Sequence, residues 1–267
     1  MKKLTGLVMV VGLLVLGACG TGDKKERESA ADKKEVVVGL DDTFVPMGFR
    51  DDNGELTGFD IELATAVFDL SDTKVTFQPI DWAMKETELD NGTIDMIWNG
   101  YTVTPEREKK VLFSDGYMTT YQVLVTAKDS KITETSQMKD KVLGAQEGSS
   151  GYKAFTEQPE LLQDLVKDND ATLYASFNEA FIDLEKGRID GLLVDRVYAE
   201  YYLTQADQLA DFNVIETPFE KEDFAVGVRK EDDKLAQKIN EAFTELKDNG
   251  TFAKISEKWF GEDVSAE

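Results

Sequence analysis

Apolar residues fall along this chain in two alternating patterns. Short dense runs, EVVVGL (35–40), KVTFQPI (74–80) and IDMIWNG (94–100), read as buried strands. Between them FDIELATAVFDL (59–70) and WAMKETELDNG (82–92) space their apolar residues three and four apart, as a helix with one buried face requires. A second series begins near residue 141 with KVLGAQEG and continues through SFNEAFIDLEKG and IDGLLVD. Strands alternating with helices predict an α/β fold around largely parallel sheets. Two helices close the chain, DDKLAQKINEAFTELKDNG stopped by Gly250 and TFAKISEKWFG stopped by Gly261.

The two series echo one another. LDNGTIDMIWNG (Leu89 to Gly100) and LEKGRIDGLLVD (Leu184 to Asp195) share Leu-acid-x-Gly-x-Ile-Asp followed by an apolar strand with a polar end. Each reads as a helix closed by glycine, Gly92 or Gly187, then a short connection into a buried strand. Two lobes of like construction are expected, with ligands gathering beyond the carboxyl ends of the strands, where Asn99-Gly100 and Asp195 fall. TYQVLVTAKDS (120–130) and ETPFEKEDFAVGVRK (216–230) read as extended crossings, the second returning the chain to the first lobe. Two connecting strands make a hinge and a cleft that can close. The division expected is residues 36–121 with 218–267 as lobe 1 and 122–217 as lobe 2.

The first residues do not belong to this pattern. Lys2 and Lys3 precede an apolar run from Leu4 to Leu16, the form of a signal peptide over residues 1–18. Leu16-Gly17-Ala18-Cys19 matches the lipobox of bacterial lipoproteins, which marks Cys19 for acylation and membrane anchoring. Residues 19–35 are expected to form a flexible lipid-anchored tether, since GTGDKKERESAADKKE holds no large apolar residue. The remaining roughly 230 residues suffice for one large domain or two small ones.

Composition then removes whole classes of chemistry. Cys19 is the only cysteine and histidine is absent, so no intramolecular disulfide, Cys/His zinc cluster or histidine-based triad can form. No cofactor or metal is expected. The net charge of −23 makes nucleic acid an improbable partner and gives a soluble, acidic exterior. The chain holds no P-loop motif. Nothing signals oligomerisation, and a monomer is expected.

One segment asks for a ligand. In TVTPER (102–107), Thr104 and Pro105 read as a helix start, which places Arg107 in the first turn. A cation there opposes the helix dipole by roughly 0.3 to 1 kcal/mol, so an anion should be sought, unless Arg107 pairs with Glu106 or Glu88 on the surface.

Here the chain resembles the type II periplasmic binding proteins of polar amino acid ABC importers, from about Val36 to Gly261. The resemblance rests on VVVGLDDTFVPMGF, NGELTGFDIELATAV, GTIDMIWNGYTVTPER, VLFSDGY, LGAQEGSSGY, GRIDGLLVD, FAVGVRK and LKDNGTFAKISEKWFG, in order. It implies a two-lobed fold that binds a free L-amino acid and delivers it to a permease with its ATPase subunit. In that family the matching arginine pairs with the ligand α-carboxylate, a bidentate role that suits a guanidinium. By the same resemblance Thr102 presents its amide and hydroxyl to that carboxylate, Gly100 its carbonyl to the α-ammonium, and Asp195 a countercharge from the other lobe. Gln146, Ser149 and Ser150 fall where the second lobe meets the ligand, though QEGSSG would equally serve as an ordinary capped turn.

Phe44 and Trp82 match aromatic positions that sandwich the ligand side chain, and both would also suit a core. Asp41 matches a position that reads the side-chain end, with Asp60 near it. Acids there favour Arg, Lys or His, while glutamine and cystine binders are similar too. Trp98 and Tyr101 are bulkier than expected beside this strand and leave the pocket size open. A dehydratase-like enzyme on this fold is an alternative, its acid–base groups limited to carboxylates, lysines and tyrosines. So is a ligand sensor signalling through a separate chain.

Overall fold

The computed structural model describes residues 28–266. The signal peptide and Cys19 lie outside the described residues. Two five-stranded sheets dominate. The first runs Lys74–Pro79, Glu35–Leu40, Met96–Ile97, Gly227–Arg229, Val111–Phe113, and the second Ala171–Tyr174, Leu143–Gln146, Gly191–Asp195, Gln122–Ala127, Phe212–Glu216.

Both sheets are built alike. In each, a strand pairs in parallel with neighbours on both sides: Glu35–Leu40 with Lys74–Pro79 and Met96–Ile97, Leu143–Gln146 with Ala171–Tyr174 and Gly191–Asp195. In each, one strand runs against the rest: Gly227–Arg229 in the first sheet and Gln122–Ala127 in the second. The reversed strand is the one that has just arrived from the other side. Met118–Thr120 leads into Gln122–Ala127, Glu222–Phe224 leads toward Gly227–Arg229, and these two leaders pair antiparallel with Glu222 opposite Thr120. Two crossing strands bonded to each other form a hinge that keeps the ladder intact while the lobes rotate.

The echo in the sequence is a structural repeat. Helix Lys85–Asn91 is closed by Gly92 at φ +79° and leads to Met96–Ile97; helix Phe177–Glu185 is followed by Gly187 at φ +65° and leads to Gly191–Asp195. Helix Phe59–Asp69 buries Phe59, Leu63, Ala64, Val67 and Phe68 on the face predicted by its spacing. The closing helices Asp233–Asp248 and Thr251–Phe260 pack there through Ile239, Phe243, Leu246 and Phe252.

Two expectations need correction. The tether is not free as far as Glu35. Ser29 caps a 3-10 turn over Ala30–Asp32, Ala30 is fully buried, and its amide donates to Asp232 Oδ2 at 2.9 Å. Lys33 pairs with buried Asp95 at 2.6 Å and Lys238 Nζ donates to Ala31 O at 3.1 Å. Hydrogen bonds to buried carboxylates fix this segment without large apolar residues. Nor does Thr104-Pro105 open an α-helix. Thr104 Oγ1 accepts from the Arg107 amide at 3.2 Å, but Arg107–Lys109 is a single 3-10 turn. A turn that short has almost no macrodipole, so the dipole argument lapses and Arg107 must be explained by its contacts.

Candidate functional site

The carboxyl ends of the two sheets face one narrow cavity. Asp41, Phe44, Trp82, Asn99, Gly100, Thr102 and Arg107 line it from one side, and Gln146, Ser149, Ser150, Phe177 and Asp195 from the other. Each arrives for a local reason. Asp41 follows strand Glu35–Leu40, its amide held by Asn99 Oδ1 at 3.1 Å. Gly100 turns the chain at φ +56°, and a Cβ there would stand 2.7 Å from the Phe44 ring, so only glycine lets that aromatic approach. Ser149 caps helix Ser150–Glu157 by accepting from the Tyr152 amide at 3.1 Å, so the capped-turn reading and the cavity-lining reading of QEGSSG both hold for its geometry.

Arg107 is buried and held in four ways. Its Nη1 donates to Thr102 O at 2.9 Å, its Nη2 to Gly148 O at 3.0 Å, its guanidinium lies 4.5 Å from the Tyr101 ring centroid, and Nε is 3.9 Å from Glu86. The surface partners Glu106 and Glu88 are not used; Glu106 instead takes Lys110 and, across the cleft, Lys153. One carbonyl per terminal nitrogen leaves each terminal nitrogen a second N–H, the fork a carboxylate fits.

Asp195 stands at the N-cap of helix Arg196–Gln205 yet caps nothing. Its Oδ1 accepts from Gln122 Nε2 at 2.9 Å, and Gln122 also reaches Ser150 Oγ and Glu222. Burial, then the neighbouring Glu222, pushes Asp195 up to about 7, while Gln122 and Arg107 draw it down. A carboxylate so burdened gains from a cationic partner. Burial likewise raises Asp41 against the pull of its hydrogen bonds from Thr43 and Gln146.

Asp60 departs from the expected set. It is fully buried behind the strand, outside the cavity lining, its Oδ2 accepting from the Gly100 amide at 2.7 Å and from Tyr117 OH at 2.9 Å. Burial pushes it up to about 7. It fixes Gly100 from the far side. Trp98 and Tyr101 also point away: Trp98 packs on Tyr117 and Phe243, Tyr101 on Trp82 and Phe113. Their bulk therefore fills core and does not narrow the cavity. Phe177, Gln122, Glu222 and Lys85 gave no sequence signal, because each lies in an ordinary helix or strand context and reaches the site only through folding.

The chain matches "Bacterial extracellular solute-binding proteins, family 3" over residues 36–262 and belongs to that family. It is 30% identical to the arginine-binding extracellular protein ArtP of Bacillus subtilis over 97% of this chain and 98% of the relative. It is 32% identical to the L-cystine-binding protein TcyA of the same organism, over 99% of each chain. A solved ABC uptake transporter substrate-binding protein from Streptococcus pneumoniae with bound histidine superposes with TM-score 0.88 and 55% identity, covering 89% of this chain and 96% of that one. The two-lobed α/β type II periplasmic-binding fold is thus established. So is its class: an extracytoplasmic amino-acid-binding protein of ABC import.

Proposed function

We propose that the chain captures a free L-amino acid between residues 36–121 with 218–267 and residues 122–217 and hands it to an ABC permease driven by a separate ATPase subunit. The carrying observation is one small cavity between the two sheets with a guanidinium on one wall and a charge-burdened aspartate on the other. Arg107, with Thr102, takes the α-carboxylate. Asp195 and the Gly100 carbonyl take the α-ammonium. Desolvated charge pairs of this kind give both affinity and chirality.

The side chain extends between Phe44 and Trp82 toward Asp41. A carboxylate at that end favours arginine, lysine or histidine, and the histidine held by the pneumococcal neighbour agrees. Glutamine or cystine on the same scaffold is the second reading, supported by the cystine-binding relative. Binding without chemistry is proposed, as the transport-binding relatives suggest. Acylation of Cys19, with a monomer tethered outside the cytoplasmic membrane, completes the reading; Cys19→Ala should abolish labelling by a fatty-acid analogue in cells.

The experiment is a calorimetric panel of the common L-amino acids and cystine. Arg107→Ala should lose at least about 2 kcal/mol of binding, the lower range for breaking a buried charge pair. Undiminished affinity in that variant would remove Arg107 from the ligand site and the proposal with it.

A further inference from the structure

Lys85 is a buried cation that the carboxylate and ammonium contacts above do not use. Its side chain is 2% exposed, at the start of helix Lys85–Asn91, and its Nζ donates to Trp82 O at 2.9 Å and to Gly148 O at 3.0 Å while standing 3.6 Å from Glu86. It lies 4.9 Å from the Trp82 ring centroid. Gly148 belongs to the opposite side of the cleft, in the turn after strand Leu143–Gln146. Its carbonyl accepts a second bond, from Arg107 Nη2 at 3.0 Å. Gly148 sits at φ +73°, and a Cβ there would meet Ala83 Cα at 3.1 Å and Lys85 Nζ at 3.2 Å, so the turn is shaped for this close approach.

The charges at this junction do not balance. Within 4 Å, Lys85 and Arg107 share one carboxylate, Glu86, which also accepts from Tyr101 OH at 3.0 Å, while Asp195 and Glu222 act on Arg107 from farther off. Lys110 adds further positive charge near Lys85, and Glu106 is engaged by Lys110 and Lys153. Burial and the neighbouring Arg107 push Lys85 down to about 7, with Glu86 opposing. All of these groups except Gly148 and Lys153 come from the same side of the cleft, so in an open cleft water can screen the two cations. Closing replaces that water with a single carbonyl.

We propose that Lys85 makes closure of the cleft conditional on a ligand carboxylate: the unbalanced positive charge that closure would desolvate is neutralised when a carboxylate docks on Arg107 beside it. A ligand shifts a two-state equilibrium only through differential interaction with the two states, and Lys85 supplies that difference. A neutral residue at this position would let the lobes close with less regard to what lies between them. The inference rests on the assignment of Arg107 to the ligand carboxylate. It does not depend on which side chain the ligand carries.

The test compares wild type, Lys85→Met and Lys85→Gln by calorimetry with L-histidine and L-histidinamide, and with L-arginine and L-argininamide as a second pair, alongside X-ray scattering of each protein without ligand. Wild type should prefer the acid over its amide. Both variants should lose about tenfold of that preference, about 1.4 kcal/mol, and should scatter as more compact particles without ligand. Glutamine keeps a donor for the Gly148 carbonyl, so an effect confined to Lys85→Met would mean that the hydrogen bond matters and the charge does not, which overturns the proposal. Unchanged preference and unchanged compactness in both variants overturn it as well. Failure of the Arg107 assignment shows differently, as full affinity in Arg107→Ala, while the scattering comparison still reports on Lys85. A purely structural role would lower thermal stability and leave the acid-to-amide ratio where it was.

Discussion

Gln146 Nε2 donates to Asp41 Oδ2 across the cleft at 2.7 Å. The two residues hold matching places, Asp41 just after strand Glu35–Leu40 and Gln146 at the end of strand Leu143–Gln146, each the central parallel strand of its sheet's three. Asp41 Oδ1 is occupied by the Thr43 amide at 2.9 Å and hydroxyl at 2.6 Å, and Gln146 also donates to Ala175 O at 3.0 Å. The carboxylate is therefore oriented, buried and bridged by a neutral amide. A cationic ligand head could share it without moving the backbone.

Asp41→Asn tests that sharing with little change of shape. Preference for L-arginine or L-lysine over L-glutamine should shrink by about tenfold or more, at least about 1.4 kcal/mol, in paired calorimetric titrations. An equal loss for all three ligands would mean that Asp41 serves closure through Gln146 and does not read the side chain.

Asp195 gives a pH dependence with a definite sign. Its carboxyl, ordinarily near 3.8, is pushed up to about 7 by burial and by Glu222. The folded, ligand-free protein thus holds a proton there that the unfolded chain releases near pH 4. The stabilising contribution is complete below that lower value, declines as pH rises, and is gone above about 7. Asp195→Asn should flatten this decline and raise ligand-free stability at pH 7.5 by on the order of 2 kcal/mol in urea titrations, while weakening ligand binding. Asp60 carries the same kind of slope and remains in the variant, so some decline should persist.

Much of this was legible in the chain because it depends on local order. The paired Leu-acid-x-Gly-x-Ile-Asp segments announced two like lobes, since a helix stop and a buried strand are written in adjacent residues. The cavity gathers ten of the eleven ligand-contact positions expected, because they cluster at strand ends in TVTPER, QEGSSG and GLLVD. What stayed hidden depends on distant contact. Lys85 in WAMKETELDNG looks like a solvated helix residue, yet it is buried and donates to Gly148 O, 63 positions away. Gln122 reads as one more polar residue in a crossing, and its bond to Asp195 spans 73 positions. The TPER motif marks Arg107 as a candidate, but the helix argument for it does not hold, because one 3-10 turn cannot supply the dipole and Tyr101 with two carbonyls holds it instead.

Gly100→Ala should cost stability and binding together. The added methyl would meet the Phe44 ring at 2.7 Å on a backbone at φ +56°, so either the ring or the strand end must move. Strain and overpacking predict a loss of about 1 to 3 kcal/mol in urea denaturation. The affinity should fall further than for a substitution equally destabilising but remote from Phe44, because Phe44 is a cavity wall and packs in turn on Phe177 and Tyr198 at 5.9 and 5.4 Å.

Asp232 decides where the tether ends. Its carboxylate accepts from Ser29 Oγ, from the Ala30 amide at 2.9 Å and from the Leu235 amide at 3.2 Å, and pairs with Arg229 at 3.4 Å. The first two bonds hold the incoming chain and the third caps helix Asp233–Asp248, so one side chain joins the segment before the first strand to the last third of the molecule. Asp232→Ala removes the cap and leaves Arg229 with its pair to Asp95, at 3.3 Å. Loss of a helix cap costs about 1 kcal/mol, and breaking a buried ion pair adds to it. The variant should lose about 2 to 4 kcal/mol of stability. Trypsin should then cut at Lys33 and Lys34 well below the global unfolding transition, whereas in wild type the Lys33–Asp95 pair and the buried Ala30 keep those sites closed until the molecule unfolds. Cleavage at the same rate in both proteins would show that the residues around Ala30 are held by something other than Asp232.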